Sequence, residues 1–279
     1  MRGRRMTLRE LQQSETETLA AFHAFCQANG LRYCLGGGTA LGAVRHHGFI
    51  PWDDDVDVMM PRPDYMRFID LCRNGWMDDI HKLDCRELDP ECPSSIIRIY
   101  DARTEVTFDN YRLPYKIGCW IDVFCFDGLP DDKAKRDRQF REMRLVLDLF
   151  ICCLTKFGGK RRSPAATALQ YLLLPVLPLI RMVGYQRYLD WYTRIARRYP
   201  YETSEYIGVL EGRACEKEAM RKEDMEPYVL MDFDGYQFYM VKNYDAYLTN
   251  LYGDYMTPPP EADRISRHEI NIYWKDQES

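Results

Sequence analysis

The sequence predicts an α+β protein, a mixed sheet flanked by helices with a helical insertion. Three observations predict it. Apolar residues Leu8, Leu11, Leu19, Phe22, Phe25 and Cys26 recur at three- and four-residue intervals, the pattern of an amphipathic helix. Downstream, Ile96–Tyr100, Val106–Phe108 and Gly118–Phe124 are short runs of β-branched and aromatic residues that read as strands. Between 131 and 205 the strand-like runs give way to long segments with helical spacing. A chain of 279 residues buries a sizeable core, so a single domain over 1–279 is expected, with 131–205 inserted into it.

In chain order, the first helix spans Thr7–Ala28 and stops at Asn29-Gly30. Leu31–Leu35 begins the sheet, Gly36-Gly37-Gly38-Thr39 breaks it, and a helix-like pattern resumes through Ala40–Val44. Turns follow at Gly48 and Pro51, then Trp52 and the acids Asp53, Asp54, Asp55 and Asp57, which run into Val56, Val58, Met59 and Met60. Pro63–Leu71 is a helix, and Asp101–Thr104 turns between two strands. Lys133–Leu154 is a long helix, followed by the basic linker Lys156–Pro164. Ala165–Val183 is strongly apolar, but Gln170, Pro175 and Pro178 interrupt it, so it falls short of a spanning helix. Two readings stay open there: a helical subdomain with its own small core, or an interfacial segment whose Lys160, Arg161 and Arg162 meet anionic lipid, giving a peripheral membrane contact through 156–183. Tyr185–Tyr199 is helical, Tyr206–Leu210 a strand, Met225–Tyr239 a hairpin around Asp232–Gly235, and Tyr244–Tyr252 a helix capped by Gly253. His268 lies in a polar tail.

The chemistry concentrates in Tyr33–Pro61. In a strand successive side chains alternate faces, so Asp53, Asp55 and Asp57 are expected on one face and Val56 and Val58 on the other. Carboxylates so close repel one another unless a cation neutralises them, and all-oxygen donors suit Mg²⁺ or Mn²⁺. An EF-hand also begins D-x-D-x-D, but Val58 and Asp64 stand where it needs Gly and Glu. The glycines let backbone N–H groups approach a ligand, and a helix beginning just after them aims its positive end at a phosphate. The spacing is neither GxxxxGK[ST] nor GxGxxG. Arg45 offers a guanidinium fork suited to phosphate oxygens; its alternative is a salt bridge to an aspartate. Asp122 is a lone acid inside a β-rich run, costly without a partner, which a shared metal centre would supply. Arg98 points to the same site or pairs across strands.

The string GGTALGAVRHHGFIPWDDDVDVMM resembles the LicD family of phosphocholine-type transferases, related to the fukutin-related proteins, within the nucleotidyltransferase-fold superfamily. Trp120–Phe124 with Asp127-Gly128-Leu129-Pro130, and Leu251–Met256 with Pro258–Pro260 and His268, agree with it. The resemblance implies a nucleotidyltransferase-like sheet and a metal-dependent transfer of a phospho-alcohol such as phosphocholine. The donor would be CDP-linked, such as CDP-choline, and the acceptor a hydroxyl of a surface glycan or its lipid-linked precursor. It implies Gly37 and Gly38 at the end of the first strand, and Asp55, Asp57 and Asp122 as metal-binding and catalytic carboxylates. Thr39, Arg45, Trp52 and Arg98 join the glycines as substrate-binding residues, and Asp122 is the candidate base. A choline trimethylammonium would sit against aromatic faces such as Trp52 and Trp120.

Composition bounds the rest. A net charge of −5 argues against a nucleic-acid partner. Basic residues near the start are followed by no apolar run, so a cytoplasmic protein is expected, with the membrane's inner face as one place of action. Ten cysteines at irregular spacing read as reduced thiols, with a zinc site at Cys85 and Cys92 as the alternative. Rival functions are a nucleotidyltransferase that uses an NTP and releases pyrophosphate, a non-catalytic glycan- or nucleotide-binding module, and a glycoside hydrolase, which the adjacent glycines disfavour.

Overall fold

The structure is a computed structural model that describes residues 2–73, 78–108, 110–156, 171, 174–211, 215–266 and 271–276. The chain runs β1 (Arg2–Arg5), α1 (Leu8–Asn29), β2 (Cys34–Leu35), α2 (Gly37–His46), β3 (Asp57–Pro61), α3 (Arg62–Cys72), β4 (His81–Asp84), β5 (Ile97–Asp101), β6 (Thr104–Thr107) and β7 (Cys119–Leu129). Then follow α4 (Lys133–Leu154), α5 (Leu177–Val183), α6 (Tyr185–Ala196), β8 (Tyr206–Val209), β9 (Met220–Arg221), α7 (Lys222–Met225), β10 (Tyr228–Phe233), β11 (Tyr236–Val241), α8 (Tyr244–Tyr252) and β12 (Asn271–Lys275).

The main sheet has the order β2-β3-β7-β5-β4, with β8 and β9 continuing from the far half of β7. Only β3 and β7 pair in parallel; the other ladders are antiparallel, so the sheet is mixed and the fold is α+β. Strand β7 carries the site on its first half, where β3 and β5 flank it. Its last four residues, Phe126–Leu129, pair with β8. A three-stranded sheet, β1-β12-β6, and the hairpin β10-β11 complete the β structure.

Helix α1 begins where its sequence says it should. Thr7 and Glu10 form a reciprocal capping box, and Gly30 ends the helix at φ 60°. Leu19, Phe22 and Cys26 are fully buried against the sheet. The N-terminal half of the same helix buries polar residues, Gln12, Ser14, Glu15, Thr16 and Thr18. Helix α4 spans the expected Lys133–Leu154. Its Phe140, Met143 and Phe150 pack with Leu189 and Ile195 of α6 in an apolar cluster separate from the main core.

Three expectations near the site need correction. The strand foreseen at Leu31–Leu35 is only Cys34–Leu35. The glycines do not precede the helix but open it: Gly36 is its N-cap, and Gly37 and Gly38 form its first turn. The strand that should carry Asp53, Asp55 and Asp57 on one face starts at Asp57, so Asp53 and Asp55 lie in the preceding loop. The physical reason is the partner. Cys34 pairs with Met59 and Leu35 with Val58, and beyond Leu35 the chain turns into α2, leaving nothing on that side for an earlier strand residue to pair with. A hydrogen bond from the Asp53 amide to the Ile50 carbonyl (2.8 Å) folds the loop back instead.

Residues 157–170 and 172–173, hence most of the basic linker and of the apolar run after it, lie outside the described residues, as does His268. Among the described residues no helix is long and apolar enough to cross a membrane.

Candidate active site

The site forms where β3 and β7 run side by side. Their register sets Asp57 directly beside Asp122, and the Asp122 amide donates to the Val56 carbonyl at 2.9 Å. Helix α2 starts immediately above. The Asp57 carbonyl accepts the Gly36 amide (2.9 Å), its amide donates to Thr39 Oγ1 (2.8 Å), and the Gly37 amide donates to the Tyr247 hydroxyl (3.0 Å). Gly37 adopts φ +45°, and a Cβ there would stand 3.0 Å from Asp57 Oδ2; one on Gly38 would stand 2.9 Å from Asp53 Oδ2. These two glycines are what lets the carboxylates lie against the helix N-terminus.

The loop supplies the remaining acids. Ligand oxygens of Asp53, Asp54 and Asp55 lie within 4.8 Å of one another. Ser266 Oγ donates a hydrogen bond to Asp54 Oδ2, which ties the segment after α8 to the loop. Burial pushes the Asp57 carboxyl well above the usual range, and Asp55, Asp122 and Asp53 push it the same way. From α1, Glu15 faces the same group. It is 2% exposed, and its carboxyl is driven up by burial and then by Asp55, Asp54, Asp53 and Asp122.

One cation faces these acids from the sheet. Arg98 stands opposite Asp122 in the β5–β7 register, and its Nε donates to Asp122 Oδ1 at 3.0 Å. The same oxygen accepts Trp120 Nε1 at 3.0 Å, and the Arg98 guanidinium lies 5.1 Å from the Trp120 ring centroid. Arg98 also donates to the Tyr115 hydroxyl (3.3 Å), which in turn donates to Asp84. The two roles open to Arg98 in the sequence coincide, since its cross-strand salt bridge is made to Asp122 of the site.

Arg45 pairs with none of the acids among the described residues. Its Nη1 donates to the Tyr255 carbonyl (2.8 Å) and its Nε to His46 Nε2 (3.0 Å). The helix explains this: Arg45 is in the last turn of α2 and the glycines are in the first. Trp52 stands on the same side, with the Arg264 guanidinium 5.6 Å from its ring centroid. Cys85 and Cys92 gather no metal set among the described residues; Cys92 Sγ donates to Asp84 Oδ2 at 3.2 Å instead.

The donor set consists of carboxylate oxygens with no imidazole or thiolate among them, which fits a hard divalent cation. Half-buried carboxylates that, among the described residues, outnumber the facing guanidinium of Arg98 fit one as well. Glu15, Tyr247, Tyr115, Ser266 and Arg264 are the site residues that sequence reasoning misses. Only Glu15 leaves a local signal: it sits four residues from both Leu11 and Leu19, an acid on the buried stripe of its helix.

Residues 30–114 match the family described as "LicD/FKTN/FKRP, nucleotidyltransferase domain", which covers α2, β3 and the acidic loop. Across 276 residues, 97% of this chain and 99% of the relative, the sequence is 31% identical to the "Lipopolysaccharide cholinephosphotransferase LicD" of Haemophilus influenzae. The chain belongs to the LicD family. It is thus a LicD-type transferase. A shorter stretch of 32 residues, 12% of this chain and 6% of the relative, is 59% identical to the human "Ribitol 5-phosphate transferase FKRP". A 46-residue stretch is 44% identical to an uncharacterized protein of Rickettsia typhi, over 16% of this chain and 15% of that protein.

Proposed function

We propose that the protein moves a phospho-alcohol, phosphocholine first among the candidates, from a CDP-linked donor to a hydroxyl of a cell-surface glycan or its lipid-linked precursor, with Mg²⁺ or Mn²⁺ as cofactor. The observation that carries this reading is the placement of Asp57 and Asp122 side by side beneath the N-terminus of α2. Carboxylates and a helix N-terminus in contact make adjacent sites for a cation and for phosphate oxygens. Full-length similarity to a cholinephosphotransferase supports the transferred group.

In the reaction an acceptor oxygen bonds to the phosphorus that carries the alcohol, the bridging P–O bond breaks, and CMP leaves. The first turn of α2, steadied by the Gly37 amide's bond to the Tyr247 hydroxyl, presents its remaining backbone N–H groups to the donor phosphates, and positioning of this kind accounts for most of the catalysis in such transfers. Asp57, Asp122 and the Asp53–Asp55 loop hold the cation, whose contribution when bound is to offset charge on the transferring group. The acceptor's proton passes to a carboxylate of the centre. Asp122 is a weaker candidate for that step than its position alone suggests, because its Oδ1 already accepts from Arg98 and Trp120.

A cytoplasmic protein acting at the membrane's inner face suits a lipid-linked acceptor. The exposed apolar residues Leu174, Leu179 and Met182 around α5 support contact with such a surface. The test is mass spectrometry for CMP after incubating the purified protein with Mg²⁺, a panel of CDP-alcohols and a glycan extract as acceptor. CMP from one donor, lost with EDTA, is the expected result. Absence of CMP from every donor, with pyrophosphate released from an NTP, would replace this reading with a nucleotidyltransferase.

A further inference from the structure

We propose that Glu15 is a ligand of the cation centre, closing it from the α1 side together with Asp53 and Asp55; the inference rests on the cation dependence proposed above.

Helix α1 covers the sheet with an apolar stripe, yet at the level of the acids the stripe carries a carboxylate. Glu15 is 2% exposed, and its Oε2 is buried with no hydrogen-bond partner among the described residues. A buried polar atom is nearly always paired, and a buried charge is paired or coordinates a cation. The charges that act most strongly on Glu15 among the described residues are acids: Asp55, then Asp54, Asp53 and Asp122. Arg103, which reaches the same helix at Glu17, is committed to Asp101 and Glu17.

The helix is also held against rotation at this point. Gln12 Nε2 donates to the Asp53 carbonyl (3.0 Å), and Ser14 Oγ donates to the buried Asp101 Oδ2 (3.0 Å). Asp101 is itself gripped by Arg103. These two bonds flank Glu15 and tie α1 to the acidic loop on one side and to β5 on the other. Glu15 is therefore held beside the loop whose Asp53, Asp54 and Asp55 oxygens lie within 4.8 Å of one another, and a movement of its carboxylate toward them on cation binding would add a further hard donor.

The experiment is Mn²⁺ titration of the intact protein after EDTA treatment and desalting, read by the EPR signal of free Mn²⁺, for wild type, Glu15→Gln, Glu15→Asp and Glu17→Gln. Glu15→Gln should bind Mn²⁺ at least about 10-fold more weakly. Glu15→Asp, which keeps the charge and shortens the reach, should lose less. Glu17→Gln alters an exposed acid paired with Arg103 and should match wild type. Wild-type affinity in Glu15→Gln overturns the proposal, and if that variant does not fold, wild-type affinity in Glu15→Asp overturns it equally. Failure of wild type itself to bind Mn²⁺ would instead overturn the cation reading beneath it.

Discussion

Two glycines with the same backbone strain but different surroundings isolate what Gly37 does for catalysis. Gly30 and Gly37 both adopt positive φ, +60° and +45°. A Cβ on Gly30 meets nothing within 4 Å, whereas one on Gly37 meets Asp57 Oδ2 at 3.0 Å and the Tyr252 hydroxyl at 3.8 Å. Alanine at either position pays the left-handed backbone penalty of about 1–2 kcal/mol. At roughly 2–4 °C per kcal/mol for a chain of this size, each variant should melt about 2–8 °C below wild type. Only Gly37→Ala also pushes the Asp57 carboxylate away from the helix N-terminus. A misplacement of 1 Å costs about 100-fold in rate, so a shift of a few tenths of an ångström should cost on the order of 10-fold in kcat/KM. Thermal melts and CMP formation under saturating cation measure the two effects separately. Equal turnover in Gly30→Ala and Gly37→Ala would refute the view that Gly37 is present for the carboxylate.

Asp57→Asn should abolish turnover while leaving the melting temperature in EDTA unchanged or higher, because burial and neighbouring acids already disfavour the charged form in the folded state. Asp122→Asn should abolish turnover too, but with a stability loss of about 1.5–3 kcal/mol in urea melts, since it removes the charged partner of Arg98. EDTA should remove all turnover, and added Mg²⁺ or Mn²⁺ should restore it. Burial raises the Glu211 carboxyl from an ordinary 4.5 to about 7, so the folded form keeps a proton that the unfolded chain releases. That contribution to stability is complete below pH 4.5, declines as pH rises, and is gone above about 7, at most about 3 kcal/mol across the window. Urea melts at pH 5 and pH 8 should show a smaller difference for Glu211→Gln than for wild type.

How much of this is legible in the sequence depends on whether the signal is local. Helices α1, α4 and α8 follow their periodicity and caps to within a residue or two, because burial of one face and the terminal capping groups both act over a few residues. Strand β1 carries no such signal. Arg2–Arg5 has no apolar alternation, and it is a strand only because Asn271–Lys275, at the other end of the chain, pairs with it and with β6. Strand β4, His81–Asp84, is equally polar and is fixed by its ladder with β5. Pairing across long sequence separations overrides composition in each case.

The acids divide along the same line. Asp122 is legible because a charge inside an apolar strand is anomalous by itself, and the register with Asp57 supplies its reason. The run Asp53–Asp55 signals a site but conceals its geometry. Alternation assigns faces only to residues that are paired, and pairing on the β2 side ends where Gly36 opens α2, a boundary set by backbone conformation and not by the acids themselves. Arg45, which pairs with none of the acids among the described residues, follows a related rule. Closeness in sequence to the glycines is not closeness in space, since eight residues of helix carry it from the first turn of α2 to the last, about 12 Å along the axis. Glu15 is the converse: about forty residues from the loop, it is brought to the acids' side of the sheet because α1 lies across β5 and β7, and an acid four residues from both Leu11 and Leu19 is the mark that position leaves in the sequence.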